Sequence, residues 1–473
     1  MRFLALALFS ILFAYSYPAH SQRPGGPPPA AFDACSAKSA NSDCSFDAPH
    51  GTVRGTCRNV RASQQKGLVC APGNRPGAGQ SRGPERRGQP NANRQNDNRR
   101  AGRSGSLPFG YDAGAPFAKA IRLTNKLTDT SQGTCFDESR VIECPAKGEK
   151  YYGQDAHYQG RLPAYRNNSD GTVSDLNTGL MWQKAHNAER QNYNDAEQAC
   201  SDLTLARKSD WRLPNLKELF SIADFRGSQG RHYFIDDKFF DFSLPDKSIL
   251  EGDRFASTHR VEMMGQTWSS TIYAGDHYGR TGVEGAFFFN YLDGHIKQAP
   301  TRGRSSLFYR CVRGPKWGDN DFRDNGNGTV TDKASGLMWQ QSDDNKTRDW
   351  PEALNYCENL DLAGYRDWRL PNVKTLQHIV DYRDYNPALD TDYLKQTDKA
   401  GWFWSSTTHG DNIKMASYVC FGKCVSVDGV DVHGAGAQRS DPKTGNPSDF
   451  TSLGGQRDEV RINNYARCVR DAG

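Results

Sequence analysis

The sequence contains two long segments that repeat each other, and this duplication limits the fold more than any other feature. Gly-Leu-Met-Trp-Gln occurs at 179–183 and again at 336–340. Asp-Trp-Arg-Leu-Pro-Asn occurs at 210–215 and again at 367–372. Every matched position is 157 residues from its partner. A constant offset between separate blocks indicates a tandem duplication, so we expect two similar domains in series.

The cysteines repeat with the same regularity. Cys200 and Cys311 are 111 residues apart, and so are Cys357 and Cys468. Twelve cysteines in an exported chain favour a disulfide framework. The equal spans predict the pairs Cys200–Cys311 and Cys357–Cys468. Two shorter pairs are also predicted, Cys135 with Cys144 and Cys420 with Cys424.

Residues 1–21 have the pattern of a secretory signal peptide. Arg2 supplies the positive start, residues 3–13 are apolar, and Ala19 and Ser21 are small residues at the cleavage site. No later run of about 18 apolar residues follows, so no membrane span is predicted. We therefore expect a secreted, extracellular or cell-surface protein, with the periplasm as an alternative.

Residues 32–72 form a small cysteine-rich module. It contains Cys35, Cys44, Cys57 and Cys70, whose pairing the spacing leaves open. About forty residues cannot bury a sufficient core without cross-links. Zinc is the alternative, but the module has no Cys-x-x-Cys pair and no closely spaced histidines. Disulfides are the preferred interpretation.

Residues 73–107 are rich in Gly, Pro, Asn, Gln and Arg, which predicts a disordered linker. The linker is basic, and its arginines are Arg75, Arg82, Arg86, Arg87, Arg94, Arg99, Arg100 and Arg103. A plain spacer is the simpler interpretation, and a strip that contacts anionic polymers is the alternative. The net charge of the whole chain is only +5, which does not favour nucleic acid as a specific partner.

The repeated blocks predict the same local structure in both copies. Asp-Gly and Asn-Gly before Thr-Val indicate hairpins, and Leu-Met-Trp indicates a short buried strand. Apolar residues at helical spacing predict two helices per copy, the second beginning after Asn215 in one copy and Asn372 in the other. Trp-Ser-Ser-Thr at 268–271 and 404–407 marks the strand-rich second half.

These blocks, together with the closing Arg-Cys-Val-Arg at 310–313 and 467–470, resemble the C-terminal domain of the Legionella collagen-like adhesin. The resemblance implies an α+β fold with two tandem C-type-lectin-like domains, at 108–314 (with its lead-in) and 315–473. It also implies attachment and the binding of sulfated glycans. Gly does not recur at every third position of the linker, so collagen-like trimerisation is not implied.

The sequence offers no enzyme motif. It has no Gly-x-Ser-x-Gly, no P-loop, no His-Glu-x-x-His and no dinucleotide-binding fingerprint. A formylglycine-generating-like enzyme on a related fold is an alternative, but it needs reactive cysteines, and the repeats' cysteines have structural partners. We therefore expect no enzymatic activity and no cofactor.

Calcium is the one metal that the acidic turns suggest. The candidate ligands are Asp170, Asp175, Asp324, Asn327 and Asp332. Tight hairpins use the same residue types for backbone reasons, which is the alternative interpretation. Leu213 and Leu370 stand where calcium-dependent lectins carry a sugar-binding carboxylate, so sugar binding through calcium is not expected.

Lys297, Arg302 and Arg304 form a non-repeated basic cluster before the last strand of the first copy, which makes them candidate ligand-binding residues. A solvated loop is the alternative interpretation. The repeated tryptophans, in contrast, are predicted to be core. The leading hypothesis is a secreted adhesin that binds extracellular or surface polysaccharide, including anionic or sulfated glycans. The alternative is a scaffold of the cell envelope that binds other proteins.

Overall fold

We describe a computed structural model of the chain at residues 34–36, 38–39, 42–48, 51–62, 65–72, 123–227, 232–243, 265–450 and 456–473. The signal peptide and the linker at 73–107 lie outside these ranges. Two compact units divide the chain between Phe109 and Gly110. Both sequence repeats belong to the second unit, so they pack into one body.

The first unit contains a three-stranded antiparallel sheet in the order β1-β2-β3. Its strands are β1 (Asp43–Ala48), β2 (Gly51–Ala62) and β3 (Gln65–Pro72). Two disulfides, Cys35–Cys57 and Cys44–Cys70, lie at its centre, and these four cysteines are buried. The cross-links supply the cohesion that so short a module cannot obtain from apolar area alone.

The second unit begins with a lead-in that a disulfide also holds. Strands β4 (Cys135–Phe136) and β5 (Val141–Ile142) pair, and the Cys135–Cys144 disulfide closes this hairpin. A 3₁₀ turn follows at Asp155–His157. The remainder consists of copy 1, from β6 to β12, and copy 2, from β13 to β19.

The described residues of copy 1 form two helices and two small antiparallel sheets. Its elements are β6 (Tyr165–Asn167), β7 (Thr172–Asp175), β8 (Met181–Gln183), α1 (Tyr193–Ser201), α2 (Leu216–Ser221), β9 (Gln266–Ile272), a 3₁₀ turn (His277–Gly279), β10 (Gly285–Asn290), β11 (His295–Pro300) and β12 (Val312–Arg313). The sheets have the orders β12-β8-β7-β6 and β11-β10-β9.

Copy 2 repeats this arrangement. Its elements are β13 (Phe322–Asp324), β14 (Thr329–Asp332), β15 (Leu337–Gln340), α3 (Trp350–Glu358), α4 (Val373–His378), β16 (Trp402–Thr408), β17 (Met415–Cys420), β18 (Gln438–Pro442), a 3₁₀ turn (Pro447–Asp449) and β19 (Val469–Asp471). The sheets are β13-β14-β15-β19 and β16-β17-β18. The described part is therefore mostly β-sheet with few helices.

Local sequence determines where the helices begin. The Asn215 side chain accepts a hydrogen bond from the Glu218 N–H at 2.8 Å, and the Glu218 carboxylate accepts one from the Asn215 N–H at 2.9 Å. This reciprocal capping box satisfies two backbone donors at the start of α2. The Asn372 side chain caps α4 by accepting a hydrogen bond from the Thr375 N–H, without the reciprocal bond, so both predicted caps are confirmed.

Each copy has one long-range disulfide from its first helix to its last strand. Cys200–Cys311 links α1 to the start of β12, and Cys357–Cys468 links α3 to the start of β19. Both span 111 residues, and we expect each to stabilise its copy by roughly 3–5 kcal/mol. The predicted core is also confirmed, since Trp182, Trp268 and their counterparts Trp339 and Trp404 are fully buried.

The two copies contact each other through their second helices in a reciprocal way. The Lys217 Nζ of α2 donates a hydrogen bond to the His378 carbonyl at the end of α4, at 2.6 Å. The equivalent Lys374 Nζ of α4 donates to the Ser221 carbonyl at the end of α2, at 2.9 Å. A cation at a helix C-terminus is favourable, and reciprocal contacts are typical of a two-fold interface. Burial lowers the pKa of both lysines to about 8.

Candidate functional site

The predicted basic residues lie near each other but in different environments. Lys297 belongs to β11, where it lies opposite Phe288 of β10, and it is buried with its Nζ 3.6 Å from the Asp293 carboxylate. Arg302 and Arg304 are exposed in the segment after β11. The interpretation of a solvated loop is therefore wrong for Lys297, because strand pairing draws this residue into the interior.

Lys297 and Arg304 line one cavity of copy 1, which we call the basic cavity. It has a volume of about 450 Å³. Its walls are Arg190, Gln266, His277, Tyr278, Phe288, Lys297, Gln298, Ala299, Pro300, Arg304, Ser305, Ser306, Leu307 and Gln456. Arg302 does not line it. Ligand sites in proteins commonly have volumes of this order.

The charge of the basic cavity has one sign. Arg190, Lys297 and Arg304 line it, and no carboxylate is among the described residues of its walls. Burial lowers the pKa of His277, so this imidazole is neutral at neutral pH. Asp293 pairs with Lys297 from outside the walls, so the positive potential inside the cavity comes chiefly from the two arginines, and it attracts anions.

Polar and aromatic groups complete the walls. Gln298 is 4% exposed, and its two amide atoms form no hydrogen bond with any described residue. The Tyr278 ring is held by a hydrogen bond that its hydroxyl accepts from Gln456 Nε2. Arg280 lies 5.9 Å from the centre of that ring. Amides and an aromatic face are the groups with which proteins orient polar ligands.

One residue difference explains why the cavity occurs in copy 1. In the sheet of copy 1, Gln266 lies opposite Asn290, and in copy 2, Trp402 lies opposite Cys420 at the same register position. The Trp402 ring stacks on Tyr418, with centroids 5.0 Å apart and an interplanar angle of 3°. A glutamine is much smaller than a tryptophan, so copy 1 has space where copy 2 has packed rings.

The basic residues of the cavity can be compared between the copies in the same way. Arg461 is 157 positions after Arg304, and its guanidinium carbon lies 3.8 Å from the centre of the Trp402 ring. Arg439 lies opposite Tyr418, as Lys297 lies opposite Phe288, and it pairs with Asp458. The interpretation of a non-repeated cluster is therefore wrong for Lys297 and Arg304, which recur in copy 2 as cations occupied by packing and pairing, whereas Arg302 aligns with Glu459.

The five candidate calcium ligands form hydrogen bonds with neighbouring residues in their own turns. Asp170 accepts hydrogen bonds from the Thr172 N–H and hydroxyl, and Asn327 accepts one from the Thr329 hydroxyl. Asp175 accepts bonds from the Asn177 and Thr178 N–H groups, and Asp324 from the Gly326 N–H. The fully buried Asp332 accepts bonds from the Asp321 and Ala334 N–H groups.

Calcium binding by either of the two turns stays a prediction. The clusters of three or more potential His, Cys, Asp or Glu ligands in the described ranges are built from disulfide-bonded cysteines, with His157 in one of them. The alternative interpretation, backbone-satisfying turns, accounts for the hydrogen bonds of the five residues.

Sequence reasoning missed four wall residues, namely Arg190, Gln266, Tyr278 and Gln298. For Gln266 a signal exists, because Gln-Thr-Trp-Ser at 266–269 aligns with Trp-Phe-Trp-Ser at 402–405. A tryptophan lost from one copy of a duplicated core position indicates a change in packing. Arg190 aligns with Thr347, so a change of charge is visible there, whereas Tyr278 and Gln298 lie in segments whose lengths differ between the copies.

The sequence profile of the Lcl C-terminal domain matches residues 171–313 and 328–438, more than half of the chain. The chain belongs to the Lcl C-terminal domain family. Its two matched segments correspond to copy 1 and copy 2, so the tandem Lcl C-terminal domains predicted from the motifs are confirmed. No curated protein and no solved structure matches the chain.

Tandem Lcl C-terminal domains are consistent with a surface-binding or adhesin-like protein. All twelve cysteines form disulfides, which is consistent with an extracellular location. In the described ranges, no helix is long and apolar enough to cross a membrane.

Proposed function

We propose that this protein is a secreted, non-enzymatic adhesin that binds anionic polysaccharide, sulfated or rich in uronic acid, in the basic cavity of copy 1. The single observation that carries the proposal is the wall composition of that cavity, which has three cations and no carboxylate among its described residues. Calcium is not part of the proposed mode of binding.

The cavity walls supply groups for each part of such a ligand. Arg304 can pair bidentately with sulfate or carboxylate oxygens, since a guanidinium presents two parallel donors. The Gln298 amide offers hydrogen bonds to hydroxyl groups, and the Tyr278 ring offers an apolar face to a sugar ring. Lys297 contributes charge from the interior without direct exposure.

A C-type-lectin-like fold for each copy is part of the proposal. Two helices, small antiparallel sheets and a disulfide from the first helix to the last strand support it. The cysteine chemistry speaks against a formylglycine-generating-like enzyme, because all twelve cysteines are consumed in disulfides and leave no reactive thiol.

The test is a titration of the full chain with a fluorescent, fully sulfated heparin oligosaccharide, with an uncharged dextran of equal length as the comparison. We expect saturable binding of the sulfated ligand alone, weakened by salt and unchanged by a calcium chelator. Arg304→Glu should weaken binding by about 100-fold, since it removes one ion pair and adds a repulsive one.

The matched control is Arg366→Glu, which makes the same charge change at a side chain that is 81% exposed and outside the cavity. This variant should bind within about threefold of the wild type, because a remote exposed charge acts through screened solvent. Equal weakening by both variants would show a diffuse charge effect, and absence of sulfated-ligand binding would refute the proposal.

A further inference from the structure

A second recess of copy 1 lies at the boundary with copy 2, and we call it the Ile272 groove. It has a volume of about 570 Å³ and is lined on one side by Thr271 and Ile272 and on the other by Asp381 and Tyr382. Asp319, from the segment that joins the copies, lies at its mouth with a side chain that is 76% exposed. The basic cavity shares no wall residue with it.

The equivalent surface of copy 2 is covered by the chain's own lead-in. The Thr130 carbonyl accepts a hydrogen bond from the Phe225 N–H at 2.9 Å. The Gln132 side-chain amide then pairs with the backbone of Thr408 at the end of β16. It accepts from the Thr408 N–H and donates to the Thr408 carbonyl, both at 2.8 Å.

Both contact points have exact positional counterparts in the Ile272 groove. Tyr382 is 157 positions after Phe225, within Ile-Val-Asp-Tyr-Arg and Ile-Ala-Asp-Phe-Arg respectively. Ile272 ends β9 as Thr408 ends β16, and each pairs with an alanine of the neighbouring strand, Ala286 or Ala416. The two surfaces are therefore related by the duplication.

The ladder geometry shows where these backbone groups point. The Tyr273 N–H donates to the Gly285 carbonyl at 2.8 Å, and the His409 N–H donates to the Met415 carbonyl at 3.0 Å. The residue before each, Ile272 or Thr408, then occupies a non-hydrogen-bonded pair, so its own N–H and carbonyl point away from the neighbouring strand. In copy 2 these two groups meet Gln132.

In copy 1 the same groups have no such partner among the described residues. No side chain binds the Ile272 backbone as Gln132 binds Thr408, and the Tyr382 N–H forms no backbone hydrogen bond of the kind that Phe225 makes with Thr130. In copy 2 the Thr407 hydroxyl donates a hydrogen bond to Asp155 at 2.6 Å. Its counterpart in copy 1, the Thr271 hydroxyl, accepts a bond from the Leu216 N–H, but no described residue accepts a bond from it as Asp155 does from Thr407.

We propose that the Ile272 groove is a docking site for an extended polypeptide segment of a partner protein. The segment presents a carbonyl to the Tyr382 N–H and, two residues later, a glutamine or asparagine amide to the Ile272 backbone. It thus reproduces on copy 1 what Thr130 and Gln132 do on copy 2. Exposed, strand-like backbone groups are recognised in this way in many peptide-binding proteins.

The lead-in of another molecule of this chain is not the proposed occupant, because in each molecule that segment is held by hydrogen bonds to its own chain. Asp129 accepts hydrogen bonds from the Ser131 N–H at 2.7 Å and the Gly160 N–H at 2.5 Å. The buried Lys374 donates to the Asp129 carbonyl at 3.0 Å. Release of the lead-in would leave these groups unpaired, which is costly for a buried lysine.

The test uses a fluorescent peptide of the chain's own residues 126–134, Lys-Leu-Thr-Asp-Thr-Ser-Gln-Gly-Thr, added to the full protein. Since the chain already covers copy 2, the peptide is expected to bind once, at the Ile272 groove, as measured by fluorescence anisotropy. Replacement of the peptide's glutamine by alanine should weaken binding about tenfold, because two hydrogen bonds are lost.

Asp319→Trp should block the mouth of the groove and weaken binding at least about tenfold. The matched control is Asp321→Trp, at a side chain that is 59% exposed, pairs with Lys333 and does not line the groove. This control should bind within about twofold of the wild type. Equal binding to both variants, or no saturable binding at about 1 mM protein, would overturn the proposal.

A photoreactive residue in place of the peptide's glycine locates the bound site. Cross-links to residues 270–273 or 379–383 are expected. Cross-links to 222–226 or 406–409 would mean that the peptide exchanges with the lead-in on copy 2, and this result would also overturn the proposal. Loss of sulfated-glycan binding would leave this outcome unaffected, because the two sites have separate walls.

Discussion

The two copies share one fold but differ in what their equivalent surfaces contact. Copy 2 fills the position of the basic cavity with the stacked rings of Trp402 and Tyr418, and it covers the counterpart of the Ile272 groove with the lead-in. Copy 1 has Gln266 in place of the tryptophan, and no lead-in residue that the structure describes covers its Ile272 backbone. The two copies thus differ at both of these equivalent positions.

This difference indicates a division of roles between the copies. A side chain that packs internally adds stability, whereas a cavity with unpaired polar walls costs stability and is retained where it serves binding. Copy 2 also holds its arginines in contacts, since Arg439 pairs with Asp458 and Arg461 covers Trp402. We infer that copy 1 carries the basic cavity and that both copies contribute walls to the Ile272 groove.

The largest expected effect comes from Trp402→Gln, which gives copy 2 the residue of copy 1. Trp402 is 1% exposed, and its Nε1 donates to the Lys423 carbonyl at 3.0 Å. Its loss should lower the free energy of unfolding by about 3–5 kcal/mol, because a large buried ring is replaced by a smaller polar group. Denaturant unfolding followed by fluorescence measures this.

The matched variant is Gln266→Ala in copy 1. This change should cost only about 1 kcal/mol, since the glutamine already borders a cavity. Similar losses for the two variants would contradict the assignment of Trp402 as packed core and Gln266 as a cavity wall.

A smaller effect follows from the residues beside the two equivalent buried arginines, Arg310 and Arg467. Copy 1 places His186 near Arg310, where copy 2 has Asp343 3.9 Å from Arg467. Burial, together with the charge of Arg310, lowers the pKa of His186 to about 4. The neutral imidazole accepts a hydrogen bond from the Ser243 N–H through Nε2, at 3.0 Å, and protonation removes this acceptor.

The pH dependence has a defined sign. The folded pKa lies below the ordinary value of 6.5, so the unfolded chain binds more protons between pH 6.5 and about 4. Stability should therefore fall as the pH falls through that window, by up to roughly 3 kcal/mol from this residue. His186→Gln should make the curve of melting temperature against pH shallower there. An unchanged curve would exclude His186 as a source of acid sensitivity.

Much of the fold follows from local sequence signals. Asn215 and Asn372 precede helical patterns and cap helices, and the repeated Asp-Gly and Asn-Gly turns connect hairpins. The equal cysteine spans correspond to the two long disulfides. These features depend on neighbouring residues or on the duplication itself, both of which are visible in the sequence.

The sites were less predictable because they depend on contacts between distant segments. Gln132 binds Thr408 from 276 residues away, and no periodic pattern connects the two. The sequence groups Lys297 with Arg302 and Arg304 in one basic segment, but pairing with β10 places Lys297 in a buried strand. The cavity itself depends on which residues pair across the strands. Because the loops between the strands differ in length, a sequence alignment of the two copies does not reveal this pairing.

The most direct test of the central claim is Gln266→Trp, which gives copy 1 the ring that fills copy 2. Titration of this variant with the sulfated oligosaccharide, alongside its thermal unfolding, separates binding from folding. We predict that the variant stays folded and loses at least about 90% of its binding affinity, because the ring occupies the basic cavity. A folded variant that binds as tightly as the wild type would contradict the account.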